Sequence, residues 1–160
     1  MNVYTTKTTL LLGNQYLVAL LQAIQAATFE INILSYNWSL KEWERNNSIS
    51  ILTREIIKAS GRGVKVRAIC NGENQKHPIM IANMRTVKRL RASHIDVKIT
   101  RVTQIMHAKA IIIDGRLCFT GSHNLSCRSV TSNDEVSVLT ESRELANEIN
   151  KYFQLIWERQ

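Results

Sequence analysis

Few features of this 160-residue chain could hold it together from outside a core. It has three cysteines, one proline and six glycines. Cys70, Cys118 and Cys127 cannot all pair, and none lies in a CxxC or similarly close spacing. That argues against a disulfide framework and a zinc site, and leaves reduced structural thiols as the expectation. No carboxylate or His/Cys cluster stands out, so no metal and no cofactor is expected. The most apolar stretch, Leu17 to Leu34, is interrupted by Gln22, Gln25, Glu30 and Asn32, which excludes a membrane span there. The N-terminus MNVYTTKTTLLLGNQ offers a three-leucine run without a cleavage site, so no signal peptide is read and a cytoplasmic location is expected. With no repeat, low-complexity tract or linker, residues 1–160 read as one domain, a length that buries about two-thirds of the unfolded chain's surface.

Basic charge is present, and it is concentrated. From Arg54 to Lys109 there are thirteen Lys and Arg against three acids, a net of +10 in a chain whose total is +8. Met1 to Thr53 is neutral, and Ala110 to Gln160 carries a net of −2. Such a field favours polyanions, nucleic acid first and anionic lipid headgroups second.

Strand-like and helix-like segments alternate. Tyr4 to Leu12 reads as a strand. Asn14 can cap a helix through about Ala27, with Leu17, Leu20, Leu21 and Ile24 on one stripe. Phe29 to Tyr36 has strand composition, and Trp38 to Ser48 reads as a polar loop. Ser50 can cap a second helix that ends before Gly61-Arg62-Gly63, with Val64 to Cys70 as the next strand. Pro78 suits the first turn of a helix running to about Ala92. Ile95 to Thr100, Met106 to Ile113, Leu117 to Thr120 and Glu135 to Leu139 read as further strands. Thr140 then caps a terminal helix with Leu145, Ile149, Tyr152, Phe153, Ile156 and Trp157 inward. The order implies an α/β sandwich with a mixed, largely buried sheet flanked by helices.

The chemistry gathers in HAKAIIIDGRLCFTGSHN, residues 107–124. Its pattern is His-x-Lys, four residues, Asp, six residues, Gly-Ser-x-Asn. A β-branched strand runs into the Asp114-Gly115 turn and returns. Alternation places His107 and Lys109 on one face, about 7 Å apart at the usual strand rise. Gly121, Ser122, His123 and Asn124 then form a small-residue loop that lets donors approach an anion. An imidazole beside an ammonium, an amide and a hydroxyl suits a phosphodiester. The imidazole can attack phosphorus or donate a proton while the others stabilise charge on the phosphoryl oxygens.

At every fixed position and spacing the pattern resembles the signature of the phospholipase D superfamily. The wider chain resembles that superfamily's single-motif nuclease branch. The resemblance implies a phospholipase D-like fold and a metal-independent phosphodiesterase. It further implies a homodimer in which two copies of the motif build one site. One His107 would form a phosphohistidine while the other protonates the departing oxygen. Lys109 and Asn124 would hold phosphoryl oxygens with help from Ser122. Glu135, with Asp134 as the alternative, would supply the acidic residue that orients an imidazole. Asp114 belongs to the motif and reads more as its buttress than as a substrate contact. His123, Arg85, Lys88 and Arg89 are candidate substrate contacts, and Trp38 and Trp43 candidate stacking surfaces. The substrate stays open between DNA and RNA. A phospholipase acting on anionic lipid, or a nucleic-acid binder without activity, are the alternatives.

Overall fold

The computed structural model describes residues 6–40, 46–72, 77–100 and 105–160. Seven strands form one sheet: β1 (Lys7–Leu12), β2 (Glu30–Ser35), β3 (Lys65–Cys70), β4 (Asp96–Ile99), β5 (Lys109–Ile113), β6 (Leu117–Gly121) and β7 (Val136–Glu141). Their order across the sheet is β1-β7-β6-β5-β2-β3-β4. β2, β3 and β4 run parallel, whereas β5 pairs antiparallel with β2, and β6, β7 and β1 continue antiparallel. This is the mixed α/β sandwich that the alternation of elements predicts.

Helices α1 (Gln15–Ala26), α2 (Ser48–Gly61) and α3 (Pro78–Arg91) cover one face, and α5 (Arg143–Glu158) covers the other. Alternation along the strands decides which residue meets which layer. Ile31, Ile33, Ile111, Ile113 and Phe119 join Leu20, Ile24, Leu52 and Ile56 in the larger core. Leu34, Ile69 and Ala110 pack with Phe153 and Ile156, and Ile112 and Cys118 with Ala146. The central strands are apolar on both faces because both faces are covered. The α5 layer stops short of the β1–β7 end, where Leu10, Leu12 and Val136 stay exposed on that face.

Several boundaries differ from expectation, each for a local reason. The second helix starts at Ser48, capped by Asn47, whose side chain accepts from Ser50 N–H at 2.8 Å; Ser50 is the capped residue rather than the cap. Ser142, accepting from Leu145 N–H at 3.1 Å, caps the last helix, while Thr140 remains in β7. Asn14 occupies its cap position without a side-chain bond, and its φ and ψ are already helical. Tyr152 is 53% exposed and faces away from the core. A short helix, α4 (Cys127–Thr131), lies in a stretch with too few residues to show periodicity. Trp43 lies outside the described residues.

At the tip of the β5–β6 hairpin, Asp114 and Gly115 both have positive φ, 52° and 57°, the turn that Asp-Gly favours. The Asp114 carboxylate reaches back to the start of β2. It accepts from the backbone N–H of Thr28, Phe29 and Glu30 at 2.8–3.3 Å and from the Thr28 hydroxyl at 3.1 Å. Burial opposes its ionisation, but these donors prevail and hold its pKa below the usual carboxylate value. Asp114→Ala should therefore lower stability by about 2 kcal/mol, the scale of a lost charged hydrogen-bond cluster. A urea titration would read this as a lower midpoint at unchanged slope.

Candidate active site

The motif and the ends of the parallel strands meet at one edge of the sheet, where open α/β sheets present their crevices. β2 and β3 end there, β5 begins there, and β6 passes there into the Gly-Ser-x-Asn loop. His107 precedes β5 and is exposed; Lys109, the first residue of the strand, is half-buried. The Lys109 ammonium lies 3.4 and 3.5 Å from the two ring nitrogens of His107 and donates to the His107 carbonyl at 2.9 Å. Met106 to Ala108, expected within the strand, precede it, and the His107 and Lys109 side chains are in direct contact. Burial lowers the Lys109 pKa, and the Glu135 charge partly offsets it.

The loop is held from behind by a carboxylate. Ser122 Oγ donates to one oxygen of Glu135, and Ser129 Oγ donates to the other at 2.7 Å. Asn133 adds a third donor at 3.3 Å. Each hydroxyl also accepts a backbone N–H, Ser122 from Val136 at 3.0 Å and Ser129 from Asn124 at 2.7 Å. Burial opposes ionisation of Glu135, but the donors from Ser122, Ser129 and Asn133 prevail and hold its pKa below the usual value. The acid that engages the loop is therefore Glu135 rather than Asp134. Among the described residues its hydrogen bonds go to Ser122, Ser129 and Asn133 and not to His107. Ser122 spends its proton on Glu135, so its hydroxyl sets the shape of the loop.

Gly121 is required by close approach: a Cβ there would run into Ser137 and the Val136 carbonyl. The Asn124 side-chain oxygen is buried without a hydrogen-bond partner among the described residues, leaving this amide unspent by the fold.

Three sequence-based candidates lie elsewhere. His123 is 2% exposed, which removes it from substrate contact. Its Nε2 donates to the Gly13 carbonyl at 2.9 Å, its Nδ1 accepts from Ser137 Oγ at 2.7 Å, and its ring stacks on Tyr16 at 4.3 Å. It ties the loop to the β1–α1 turn. Trp38 is fully buried, with its indole N–H on Thr53 Oγ1 at 3.1 Å, and belongs to the core rather than to a stacking surface. Asp114 sits five residues along β5 from Lys109, about 16 Å at the usual rise. It supports the hairpin at the far end of the strand.

Arg85, Lys88 and Arg89 lie on the exposed side of α3. Arg85 and Lys88 line a groove of about 790 Å³ with Met80, Ile81, Met84, Val87 and Arg91. The helix itself reaches the site through Asn83. Its fully buried side chain donates to the Tyr36 and Asn71 carbonyls, both at 2.9 Å, and accepts from Trp38 N–H at 2.7 Å. Asn71 in turn accepts from Met106 N–H at 2.9 Å, one residue before His107.

Sequence reading missed Tyr36, Asn71, Asn83 and Ser129. Tyr36 carried one signal, as a polar aromatic at the end of an apolar strand. Its ring lies 4.4 Å from the His107 ring and 5.0 Å from the Lys109 ammonium. Among the described residues no group of three His, Cys, Asp or Glu side chains is arranged to hold a metal ion.

The buried imidazole gives this site a pH signature. Burial, opposed by Gly13 and Glu135, lowers the His123 pKa below its usual 6.5. Below that value the unfolded chain binds a proton that the folded chain refuses, so stability falls as pH falls. The thermal midpoint should drop between about pH 7 and pH 5, and drop less in His123→Gln. Equal drops in the two proteins would contradict this account.

The chain matches the family model described as "Cardiolipin synthase, PLD-like domain" over residues 20–157. Its fold is similar to that of Nuc, a phospholipase D family member from Salmonella typhimurium, with a TM-score of 0.77 and 22% identity over 97% of this chain and 96% of that one. It is 28% identical over 141 residues to the virion nicking-joining enzyme of Vaccinia virus (strain Copenhagen), a match covering 85% of this chain and 32% of the viral protein. It is 36% identical over 99 residues to a phospholipase D of Rickettsia felis, covering 62% of this chain and 47% of that protein. The chain thus spans about a third of the viral relative and just under half of the rickettsial one. The family match over residues 20–157 gives one conclusion, with which the likeness of fold agrees: this chain belongs to the phospholipase D superfamily.

Proposed function

We propose that this chain is a metal-independent phosphodiesterase that cleaves DNA or RNA internally, with little sequence preference, through a covalent phosphohistidine. The observation that carries the reading is the His107–Lys109 contact, 3.4 Å, at the open end of the sheet beside the Asn124 loop. The exposed imidazole is the nucleophile. A P–N bond forms as the P–O bond to the departing strand breaks. Lys109 and the Asn124 amide stabilise charge on the phosphoryl oxygens.

The departing oxygen needs a proton, and the motif occurs once in this sequence. A second copy of the chain supplies the other His107 as general acid. That group then takes a proton from the water that breaks the P–N bond and restores the first imidazole. The uncovered Leu10, Leu12 and Val136, next in sequence to the β1–α1 turn and to Glu135, support a self-association surface beside the site. Nucleic acid is favoured as substrate by the net +10 between Arg54 and Lys109 and by the nicking-joining activity for which the viral relative is named. Hydrolysis of anionic phospholipid is the second reading, favoured by the name of the rickettsial relative.

Purified protein should cleave labelled DNA or RNA in excess EDTA, and His107→Ala should lose about 10⁴-fold or fall to background. Cleavage of anionic vesicles with none of nucleic acid would replace the first reading by the second. Cleavage that survives in His107→Ala would remove the phosphohistidine. Equal mixtures of re-associated wild type and His107→Ala should retain roughly a quarter of the activity, against half if each protomer acts alone.

A further inference from the structure

Among the described residues Tyr36 is the aromatic side chain in ring contact with His107. The fold holds it firmly. Its backbone N–H donates to the Ala108 carbonyl at 3.1 Å, and its carbonyl accepts from Asn83 at 2.9 Å. Two residues on, Trp38 is locked in the core. The side chain is nevertheless half-buried, and its hydroxyl has no hydrogen-bond partner among the described residues. One polar aromatic is therefore fixed at the mouth of the site with part of its surface open.

We infer that Tyr36 is a stacking wall for a nucleobase next to the scissile phosphate, so that the preferred substrate is nucleic acid whose bases are unpaired. This deepens the nuclease reading and rests on it. With ring centroids 4.4 Å apart, Tyr36 and His107 touch. A phosphorus within bonding reach of His107 therefore lies within one nucleotide of the Tyr36 ring. In a duplex the bases are stacked inside, and neither neighbour of that phosphate can present its face to the ring. A single strand, loop or frayed end can, and base–aromatic stacking tolerates any base because every base has a π-face. The Lys109 ammonium, 5.0 Å from the ring centroid, anchors the phosphate on one side of that wall.

The test compares cleavage of a single-stranded oligonucleotide with cleavage of a tract of the same length that lacks bases, in wild type, Tyr36→Leu and Tyr36→Phe. The ratio of the two rates cancels any general loss of chemistry. Wild type should favour the strand with bases. Tyr36→Leu should lose roughly 10-fold of that preference, the size of one base–aromatic stack, and Tyr36→Phe should keep it. A preference unchanged in Tyr36→Leu, with both rates falling together, would mean that the ring only packs the catalytic pair. A preference lost equally in Tyr36→Phe would assign the effect to the hydroxyl. Either result overturns the inference while leaving the nuclease reading intact. A wild-type protein that cleaves no nucleic acid would overturn both.

Discussion

The antiparallel pairing of β5 with β2 is the constraint from which the rest follows. It joins a parallel half, β2–β3–β4, to an antiparallel half, β5–β6–β7–β1. Hydrogen bonds at its two opposite ends set its extent. Asp114 clamps the start of β2 through three backbone N–H groups, and Tyr36 N–H on the Ala108 carbonyl extends the ladder past Lys109. A slip of one residue would turn Lys109 to the α5 face and bury Ala110 and Ile112 on the wrong side. The motif's fixed spacing is thus a register device as much as a chemical one. The strand that carries Lys109, with His107 just before it, is followed by the carboxylate that fixes its alignment.

Charge and burial are balanced differently at the two ends. Asp114 and Glu135 are both held ionised by several hydrogen bonds against the cost of burial. Asp114 spends all its described bonds on backbone and one threonine. Glu135 acts through hydroxyls, and Ser122 and Ser129 pass its hold on to the backbone at Val136 and Asn124. The loop thereby gains a rigid frame while the Asn124 side chain stays uncommitted. The low-dielectric surroundings that weaken the Lys109 ammonium also strengthen its attraction for a phosphate oxygen.

Much of this was legible in the sequence because local rules and the motif's spacing agree there. The hairpin from Lys109 to Gly121 follows from β-branched residues around an Asp-Gly turn, and the helices from apolar stripes. What was not legible depended on distant partners. Trp38 sits in a polar stretch, and only Thr53, Asn83 and the Leu125 bridge explain why it is core. His123 shares its local surroundings with Ser122 and Asn124, yet Gly13 and Tyr16, more than a hundred residues earlier, draw it inward. The caps were misplaced where several polar residues compete within three positions, as at Asn47, Ser48 and Ser50. The basic residues of α3 were legible as a helical face, but the groove that Arg85 and Lys88 line was not.

Asn83 shows how a residue with no chemistry of its own can set the geometry of the site. Its single amide spans the ends of β2 and β3, and through Asn71 it reaches the residue before His107. Tyr36 and His107 come from segments about seventy positions apart in sequence, so no local preference keeps them in contact. A buried amide with three partners is costly to disturb, because each partner would be left unpaired in the interior. Asn83 thereby ties α3, the helix that carries Arg85 and Lys88, to the backbone at Tyr36, Trp38 and Asn71. An anion engaged along that helix and a phosphate held at His107 would share one rigid frame.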